Sequence, residues 1–153
     1  MKLKFERVTI NVKNLEEAKR FFSDLLETPF VGKPAAFYEK IDKGEIKYET
    51  DIPPDAPPTE KFTFKNAVSH DLGIELFEQD PPPPRFGVRN ITWRVDDIEK
   101  AKEEMKKKGI RLLGARKCGH WKEAVFSADD MYGVRWVLNE YEGPNVFEAQ
   151  IRP

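Results

Sequence analysis

The chain has 153 residues, a formal net charge of −1 and a single cysteine, Cys118. This length is enough to bury one core without disulfide or metal staples, and the balanced charge provides no basic field to attract nucleic acid or an anionic membrane. No stretch is apolar and long enough for a membrane span or a signal peptide, and a lone cysteine suits a reducing compartment. We therefore expect a cytoplasmic protein with neither nucleic acid nor membrane among its partners.

A strand is the first predicted element. Val8, Ile10 and Val12 alternate with polar residues, which is the period of a half-buried strand. A helix is predicted next, because Asn14 is a good N-cap and Glu17 follows three residues later. The strand is therefore expected to lead directly into the helix.

The predicted helix carries one apolar stripe, formed by Leu15, Ala18, Phe22, Leu25 and Leu26. Packing of this stripe on the apolar face of the first strand directs the intervening side chains to the opposite face of the sheet. Those side chains are Arg7, Thr9 and Asn11. They are expected on the face that the helix leaves uncovered.

Three further strands are predicted in the first half, at 37–48, 62–68 and 74–77. The proline-rich stretch 53–58 predicts a long turn between strands. Asp80 is followed by four prolines, which neither continue a helix nor donate to a sheet. Residues 81–85 are therefore interpreted as a stiff connector between two modules.

The second half repeats the first. The sequence from Val8 to Lys19 reappears from Ile91 to Lys102 at an offset of 83 residues (91 − 8), without a gap. Asp97 is the second N-cap, a helix ends in lysines before Gly109, and strands are predicted at 111–115, 121–126 and 134–138. The apolar stripe of this helix is Ile98, Ala101 and Met105. The predicted fold class is α+β, with two tandem βαβββ modules at 1–80 and 86–153 that form a curved mixed sheet with helices on one face.

These segments resemble the vicinal oxygen chelate superfamily, which includes glyoxalase I, extradiol dioxygenases and bleomycin-resistance proteins. The resemblance lies in the strand and helix through 12–26, the closing Gly-Ile-Glu-Leu at 73–76, and the matching segments 94–101 and 130–138. It covers essentially the whole chain. It implies a glyoxalase-like fold but not one reaction, because the superfamily hosts many chemistries.

The resemblance also implies positions for a metal site. Metal-dependent members use two histidines and two carboxylates, and these positions correspond here to Arg7, Glu75, Asn90 and Val137. Only Glu75 is a usual ligand, whereas a catalytic divalent ion needs about three protein donors. We therefore expect no metal and no cofactor.

The resemblance places Arg7 and Glu75 in one pocket, so we expect the guanidinium to pair with the carboxylate. By alternation, the open face is predicted to hold the ligand-binding residues Arg7, Thr9, Glu75, Phe77, Asn90, Thr92, Arg94, Arg135 and Asn139, together with Asn11. Three arginines against one carboxylate favour an anionic or carboxylate-bearing ligand.

The expected function is binding of a small polar or anionic molecule in the cleft between the modules, by analogy with bleomycin-resistance proteins. One alternative is a metal-dependent lyase, isomerase or dioxygenase in which Glu75 acts as a base and displaced ligands such as His120 hold the ion. Cys118 and His120 lie two residues apart on a predicted strand, hence on one face, and could hold a metal or support nucleophilic chemistry. The favoured interpretation of the two is a loop thiol and an ordinary surface histidine. Another alternative is a regulatory dimer module without a ligand. Whether the chain catalyses a reaction stays open, and we expect a homodimer.

Overall fold

The computed structural model describes residues 1–59 and 61–153. Within them the strands are β1 (Lys4–Asn11), β2 (Glu49–Asp51), β3 (Thr63–Ser69), β4 (Ile74–Asp80), β5 (Gly87–Arg94), β6 (Leu112–Cys118), β7 (Trp121–Phe126) and β8 (Arg135–Glu140). The helices are α1 (Leu15–Leu26), α2 (Ala35–Asp42), α3 (Ile98–Lys107) and α4 (Val146–Ile151).

The strands form one mixed sheet in the order β2-β6-β7-β8-β5-β1-β4-β3. β1 and β5, the repeated strands, lie side by side and antiparallel at its centre. Each is flanked by the last strand of its own half, β4 or β8, in parallel pairing. β2 of the first half pairs with β6 of the second, so the twisted sheet curls into a half-barrel. The predicted α+β fold with a curved mixed sheet is confirmed.

Helices α1 and α3 cover the convex face, as predicted. The Asn14 and Asp97 side chains accept hydrogen bonds from the backbone of Glu17 and Lys100 at the two helix starts. The stripe of α3 is fully buried at Ile98, Ala101 and Met105, and Trp93 and Trp136 pack against it. The sheet face opposite these helices is left concave.

The strand predicted at 37–48 is wrong. Pro34 stands at the N-cap of α2, and the chain forms a helix before the short strand β2. Phe37 and Ile41 are four residues apart and therefore share one face of α2, where both pack against the core of α4. The alternation of apolar residues in this short segment fits a helix as well as a strand, and tertiary contacts decide between them.

The apolar stripe of α1 is only partly buried. Leu15 lies in the core and Ala18 and Phe22 pack beside it, but Leu25 and Leu26 in the last turn are 62% and 37% exposed. Phe21, on the flank of the same helix, is 62% exposed. The expected homodimer stays a prediction.

The placement of Cys118 and His120 on one face of a strand is also wrong, whereas the favoured interpretation of His120 as a surface histidine agrees with its exposure. β6 ends at Cys118 and β7 begins at Trp121, so a tight turn separates the two side chains. The Cys118 thiol is buried and contacts the backbone oxygen of Gln150, whereas the exposed His120 ring lies 2.9 Å from the Pro153 oxygen. They do not form a common site.

The C-terminal helix α4 closes one end of the half-barrel. Its Val146, Phe147 and Ala149 form a core cluster with Trp121 and Phe37. The backbone of the β6–β7 turn joins it, because the His120 amide donates to the Ala149 oxygen at 3.0 Å. Among the described residues no helix has the length and apolar character needed to cross a membrane.

The turn at Gly119 should be essential for docking of α4. Gly119 has φ +55°, and a Cβ there would lie 2.3 Å from the Arg152 oxygen and 2.5 Å from the Gln150 oxygen. We expect Gly119→Ala to lower the free energy of unfolding by about 2–5 kcal/mol, the sum of left-handed strain and overpacking. Urea unfolding would measure it.

Gly44→Ala is the matched control. Gly44 has φ +72° but nothing within 4 Å of an added Cβ, so only the strain of about 1–2 kcal/mol should appear. Equal losses for the two variants would show that contact with the α4 backbone does not constrain the turn.

Candidate ligand site on the concave face of the sheet

The concave face encloses a cavity of about 540 Å³. Strands of both halves line it, α4 contributes Val146, Phe147 and Gln150 at one end, and the connector contributes Pro83 and Pro84 at the rim. The volume lies in the range of small-molecule sites. The cavity is the candidate site of the protein.

A buried ion pair lies at the centre of its floor. The Arg7 Nε and Glu75 Oε1 atoms are 3.2 Å apart. Arg7 is 7% exposed to solvent and Glu75 is 8% exposed. Arg7 comes from β1 and Glu75 from the parallel neighbour β4. The predicted pairing is confirmed.

Glu75 is held by three donors. Thr9 Oγ1 donates to Oε1 at 2.7 Å, in addition to the Arg7 contact, and Asn66 Nδ2 donates to Oε2 at 2.8 Å. Burial alone would raise the pKa of Glu75, but Arg7 and the hydrogen bonds from Asn66 and Thr9 lower it overall. Glu75 is therefore a fixed, ionised acceptor.

The network continues across the centre of the sheet. The Asn90 amide donates to Thr9 Oγ1 at 3.0 Å, which links β5 to β1. On the other side of Arg7, its Nη1 lies 3.2 Å from Glu6 Oε1. Burial would lower the pKa of Arg7, and the Glu75 and Glu6 carboxylates raise it. Arg7 is thus a charge already neutralised by its neighbours.

Glu6 reaches Arg7 because β1 contains a bulge. Phe5 pairs with Trp93 and Arg7 with Thr92, so Glu6 is an extra residue in the strand. Its carboxylate accepts hydrogen bonds from Asn139 Nδ2 at 2.9 Å and from the Tyr141 hydroxyl.

Seven of the nine predicted ligand-binding residues line the cavity: Arg7, Thr9, Glu75, Phe77, Asn90, Thr92 and Arg135. Arg94 and Asn139 lie outside its lining. Arg94 stacks on the Tyr141 ring at 3.6 Å and donates to the Gly143 oxygen at 2.8 Å, while Asn139 is bonded to Glu6. The structure thus brings most of the predicted set to one surface, and ligand contact by them stays a prediction.

Several cavity cations were not among the predicted site residues. Arg89 is the extra residue of a bulge in β5, between the pairs Thr9–Asn90 and Ile10–Val88. Its Nη1 donates to Gln79 Oε1 at 2.8 Å and to Asn11 Oδ1 at 3.3 Å. Strict alternation with Asn90 would put Arg89 on the helix side, and only the bulge in the folded sheet turns it inward.

Lys33 lies in the loop before α2. Its Nζ atom is 4.5 Å from the centroid of the Phe37 ring, with Tyr48 at 5.4 Å and Phe64 at 5.8 Å. Burial lowers the pKa of this ammonium group. Its place in the cavity follows from the α2 helix that sequence reasoning missed.

The cavity is strongly cationic. Its basic side chains are Arg7, Lys33, Arg85, Arg89, Arg116 and Arg135, and its carboxylates are Glu75 and Glu123. Glu75 pairs with Arg7, and Glu123 pairs with Arg116 at 2.8 Å. Lys33, Arg85, Arg89 and Arg135 have no ion-pair partner in the described part of the chain. Four basic side chains of the lining thus lack an ion-pair partner among the described residues, three of them half-buried and Arg85 exposed, in a protein whose net charge is −1.

Arg89 and Arg135 interact unfavourably. Burial lowers the pKa of Arg89 to about 10, with the Arg135 charge as the next cause. Burial also lowers the pKa of Arg135, assisted by Arg116. The Arg135 Nε atom is buried and has no hydrogen-bond partner among the described residues. An anion between Arg89 and Arg135 would reduce the repulsion between the two guanidinium groups and would accept a hydrogen bond from Arg135 Nε.

An aromatic wall stands beside the cations. The Phe64 and Phe77 rings are stacked with centroids 4.7 Å apart, and Phe62 lies at the edge of Phe77. The Arg89 guanidinium covers the Phe77 ring at 4.4 Å. The site therefore offers an apolar surface next to its positive charge.

The second carboxylate, Glu123 on β7, differs from Glu75. It is 8% exposed, and its Oε1 accepts a hydrogen bond from Arg116 Nη1 at 2.8 Å. Burial raises the pKa of Glu123, although Arg116 and Arg7 act in the opposite direction. Sequence reasoning missed Glu123, although its place in the predicted strand 121–126 could have revealed it by alternation with Trp121.

The residues at the family's metal positions do not fit a divalent ion. Glu75 is occupied by Arg7, Thr9 and Asn66, Val137 has no donor atom, and Asn90 offers only an amide. Within residues 1–59 and 61–153 no cluster of three His, Cys, Asp or Glu side chains has a geometry that suits a metal. A guanidinium at this position would repel a cation.

Comparisons with known proteins agree with this fold. The sequence profile of the Glyoxalase/Bleomycin resistance protein/Dioxygenase superfamily matches residues 4–138. No curated protein sequence gives a significant match.

Several solved structures share the fold. A hypothetical protein from Bacillus halodurans C-125 has a TM-score of 0.63 and 15% identity, covering 94% of this chain and 97% of its own. Methylmalonyl-CoA epimerase from Mycobacterium tuberculosis has a TM-score of 0.57 and 16% identity, with 91% and 88% coverage. A Streptomyces coelicolor methylmalonyl-CoA epimerase variant bound to 2-nitronate-propionyl-CoA has a TM-score of 0.56 and 14% identity, covering 93% of this chain and 100% of its own. At these identities the likeness shows the fold alone.

The stability losses caused by removing Arg7 and Glu75 should not be additive, because the two side chains form a buried ion pair. Arg7→Ala and Glu75→Ala should each lower the free energy of unfolding by about 3–5 kcal/mol, because each leaves a buried charge without its partner. The double variant should lose less than the sum, by about 0.5–3 kcal/mol. A double-mutant cycle measured in urea would test this, and strictly additive losses would rule out the coupling.

The two cavity glutamates should respond oppositely to loss of charge. At pH 7, Glu75→Gln should destabilise by about 1.5–3 kcal/mol, because charge-assisted hydrogen bonds are lost. Glu123→Gln should be neutral or stabilising, because burial disfavours its ionised form.

The pH dependence of unfolding separates the two effects. The lowered pKa of Glu75 stabilises the fold above the ordinary value of 4.5, and that contribution is lost as the pH falls. The raised pKa of Glu123 costs stability as the pH rises above 4.5. Any gain in the free energy of unfolding of Glu123→Gln over wild type should therefore shrink from pH 7 to pH 5. A gain that grows as the pH falls would contradict the raised pKa of Glu123.

Proposed function

Since the chain belongs to the Glyoxalase/Bleomycin resistance protein/Dioxygenase superfamily, we propose that it binds a small organic anion in its cavity without a divalent metal ion. Arg135 and Arg89 bind the anionic group. The aromatic wall of Phe62, Phe64 and Phe77 contacts the apolar part of the molecule.

The observation that carries this proposal is the charge of the cavity. Both of its carboxylates already pair with Arg7 and Arg116, and four cations remain without an ion-pair partner among the described residues. Holding like charges together in a partly buried space is unfavourable unless a counter-charge enters. A carboxylate or phosphate matches the donor fork of arginine.

The cavity also limits the size of the ligand. About 540 Å³ accommodates a molecule of small-metabolite size. The stacked pair Phe64 and Phe77 favours a ligand with a planar or apolar portion. A purely inorganic anion would leave this surface unused.

The metal-dependent alternative has less support. His120, the candidate displaced ligand, lies in the β6–β7 turn beside Pro153 and not in the cavity lining. Glu75, the candidate base of this alternative, accepts hydrogen bonds on both carboxylate oxygens. The alternative of a dimer module without a ligand leaves the unpaired cations of the cavity unexplained.

Arg135 should be required for anion binding. A thermal-shift screen of carboxylates and phosphate monoesters, followed by calorimetry, should identify anions that bind the wild-type protein. Arg135→Gln should weaken the best of them tenfold or more, the usual effect of losing a charged hydrogen bond. Arg20→Gln, on the exposed face of α1, is the matched control and should bind like wild type.

Metal analysis completes this test. Binding should persist after treatment with a chelator, and the purified protein should contain far less than one divalent ion per chain. A content near one ion per chain that is lost in Glu75→Ala would overturn the metal-free proposal. Equal affinity in wild type and Arg135→Gln would overturn the assignment of the anion site.

A further inference from the structure

Lys33 is a half-buried amine that the proposed anion site does not use. It lines the cavity from the loop before α2. In the described part of the chain no carboxylate lies within ion-pair distance of it. The charge assigned to anion binding comes from Arg89 and Arg135. A lysine differs from these arginines because it can lose its proton and then act as a nucleophile.

The backbone fixes the position of this side chain. Val31 forms an isolated bridge with Val68 of β3, in which each amide donates to the other residue's oxygen, at 2.9 and 2.8 Å. Pro34 follows Lys33 directly and stands at the N-cap of α2 with φ −66°. Lys33 therefore lies between two anchored positions, at the cavity wall.

Aromatic rings surround the amine. The Lys33 Nζ atom lies 4.5 Å from the centroid of Phe37, 5.4 Å from that of Tyr48 and 5.8 Å from that of Phe64. The ring faces attract an ammonium group. They do not replace the hydrogen bonds that water gives to it, so the charged form loses solvation in this place.

The neighbouring charges do not restore the ordinary pKa of Lys33. Burial lowers this pKa, and Arg116 acts in the same direction. Glu75 and Glu123 act in the opposite direction, but each already pairs with an arginine. Cys118 opposes the shift only as a thiolate, and burial raises the pKa of its thiol. A larger fraction of Lys33 is therefore neutral at pH 7 than of an exposed lysine.

The aromatic wall lies between this amine and the anion site. Lys33 is beside the Phe64 ring, and the Arg89 guanidinium covers the Phe77 ring at 4.4 Å. Phe64 and Phe77 are stacked with centroids 4.7 Å apart. A ligand that lies along these rings with its anionic group at Arg89 extends towards Lys33.

We propose that Lys33 forms a reversible imine with the carbonyl group of an anionic aldehyde or ketone, in which a planar or apolar spacer separates the carbonyl from the anion. This inference rests on the proposed anion binding and adds covalent capture of a carbonyl to it. Arg89 and Arg135 bind the anionic end, the aromatic wall contacts the spacer, and Lys33 reacts with the other end.

The step needs no further reactant. The lone pair of the neutral Nζ atom forms a bond to the carbonyl carbon, the carbonyl π pair moves to the oxygen, and one proton passes from nitrogen to oxygen. The nitrogen pair then forms the carbon–nitrogen double bond while the carbon–oxygen bond breaks. The hydroxide leaves as water with the last nitrogen proton, and addition of water reverses the reaction.

Reductive trapping tests the proposal. The protein is incubated with 4-formylbenzoate and sodium cyanoborohydride, which reduces an imine to a stable secondary amine. Peptide mass mapping should find the 4-carboxybenzyl group on Lys33 at least tenfold faster than on any other lysine. 4-Methylbenzoate, which keeps the ring and the anion but has no carbonyl, should protect Lys33. Benzaldehyde, which lacks the anion, should label it at least tenfold more slowly.

Lys40 provides a matched control. It is a half-buried lysine of α2, but its Nζ donates to the Ile151 oxygen at 3.0 Å, and it lies outside the cavity lining. Lys40→Arg should be labelled like wild type, whereas Lys33→Arg, which keeps the positive charge, should lose the fast labelling. Thermal unfolding verifies that both variants are folded. If Lys33→Arg is not, the mapping and protection of Lys33 in the wild-type protein decide the question.

The outcomes separate this inference from the proposed function. If 4-methylbenzoate binds in calorimetry but Lys33 is labelled no faster than other lysines, or if Lys33→Arg is labelled like wild type, the imine is wrong and anion binding stands. If benzaldehyde labels Lys33 as fast as 4-formylbenzoate and no anion of the screen binds, the amine is reactive but the proposed function and the anionic substrate class both fail.

Discussion

The buried contact between Arg7 and Glu75 constrains the rest of the site. Two charges in the centre of a sheet are tolerated only when each is fully bonded. Thr9, Asn66 and Glu6 supply those bonds, and Asn90 supports Thr9 in turn. The central strands β5, β1, β4 and β3 are therefore tied together by polar side chains on the same face that the ligand would occupy.

This network separates fixed charges from available ones. Arg7 and Glu75 neutralise each other and form a rigid floor, so the charges that can respond to a ligand are those around it. Arg89 and Arg135 lack carboxylate partners in the described chain, and Glu123 has one unbonded oxygen. A chain with a net charge of −1 thus creates a local positive field by arrangement and not by composition.

Small irregularities of the sheet select which side chains reach the cavity or the ion pair in its floor. One extra residue in β1 brings Glu6 beside Arg7, and one in β5 turns Arg89 inward to Gln79 and Asn11. Each bulge interrupts a strict alternation of faces, which explains how the adjacent residues Arg89 and Asn90 of β5 both line the cavity. The bulges lie in β1 and β5, the two strands that join the halves, where the candidate site is also centred.

The sequence alone determined the repeat, the caps at Asn14 and Asp97, the outer helices and the inward face of β1, because periodicity and capping are local properties. It also indicated the Arg7–Glu75 pair through the family resemblance. Tertiary structure decided that 35–42 is a helix, that α4 closes the half-barrel, and that Arg89, Lys33 and Glu123 face the cavity. These depend on contacts between distant segments and on bulges fixed by strand register, which no local pattern encodes.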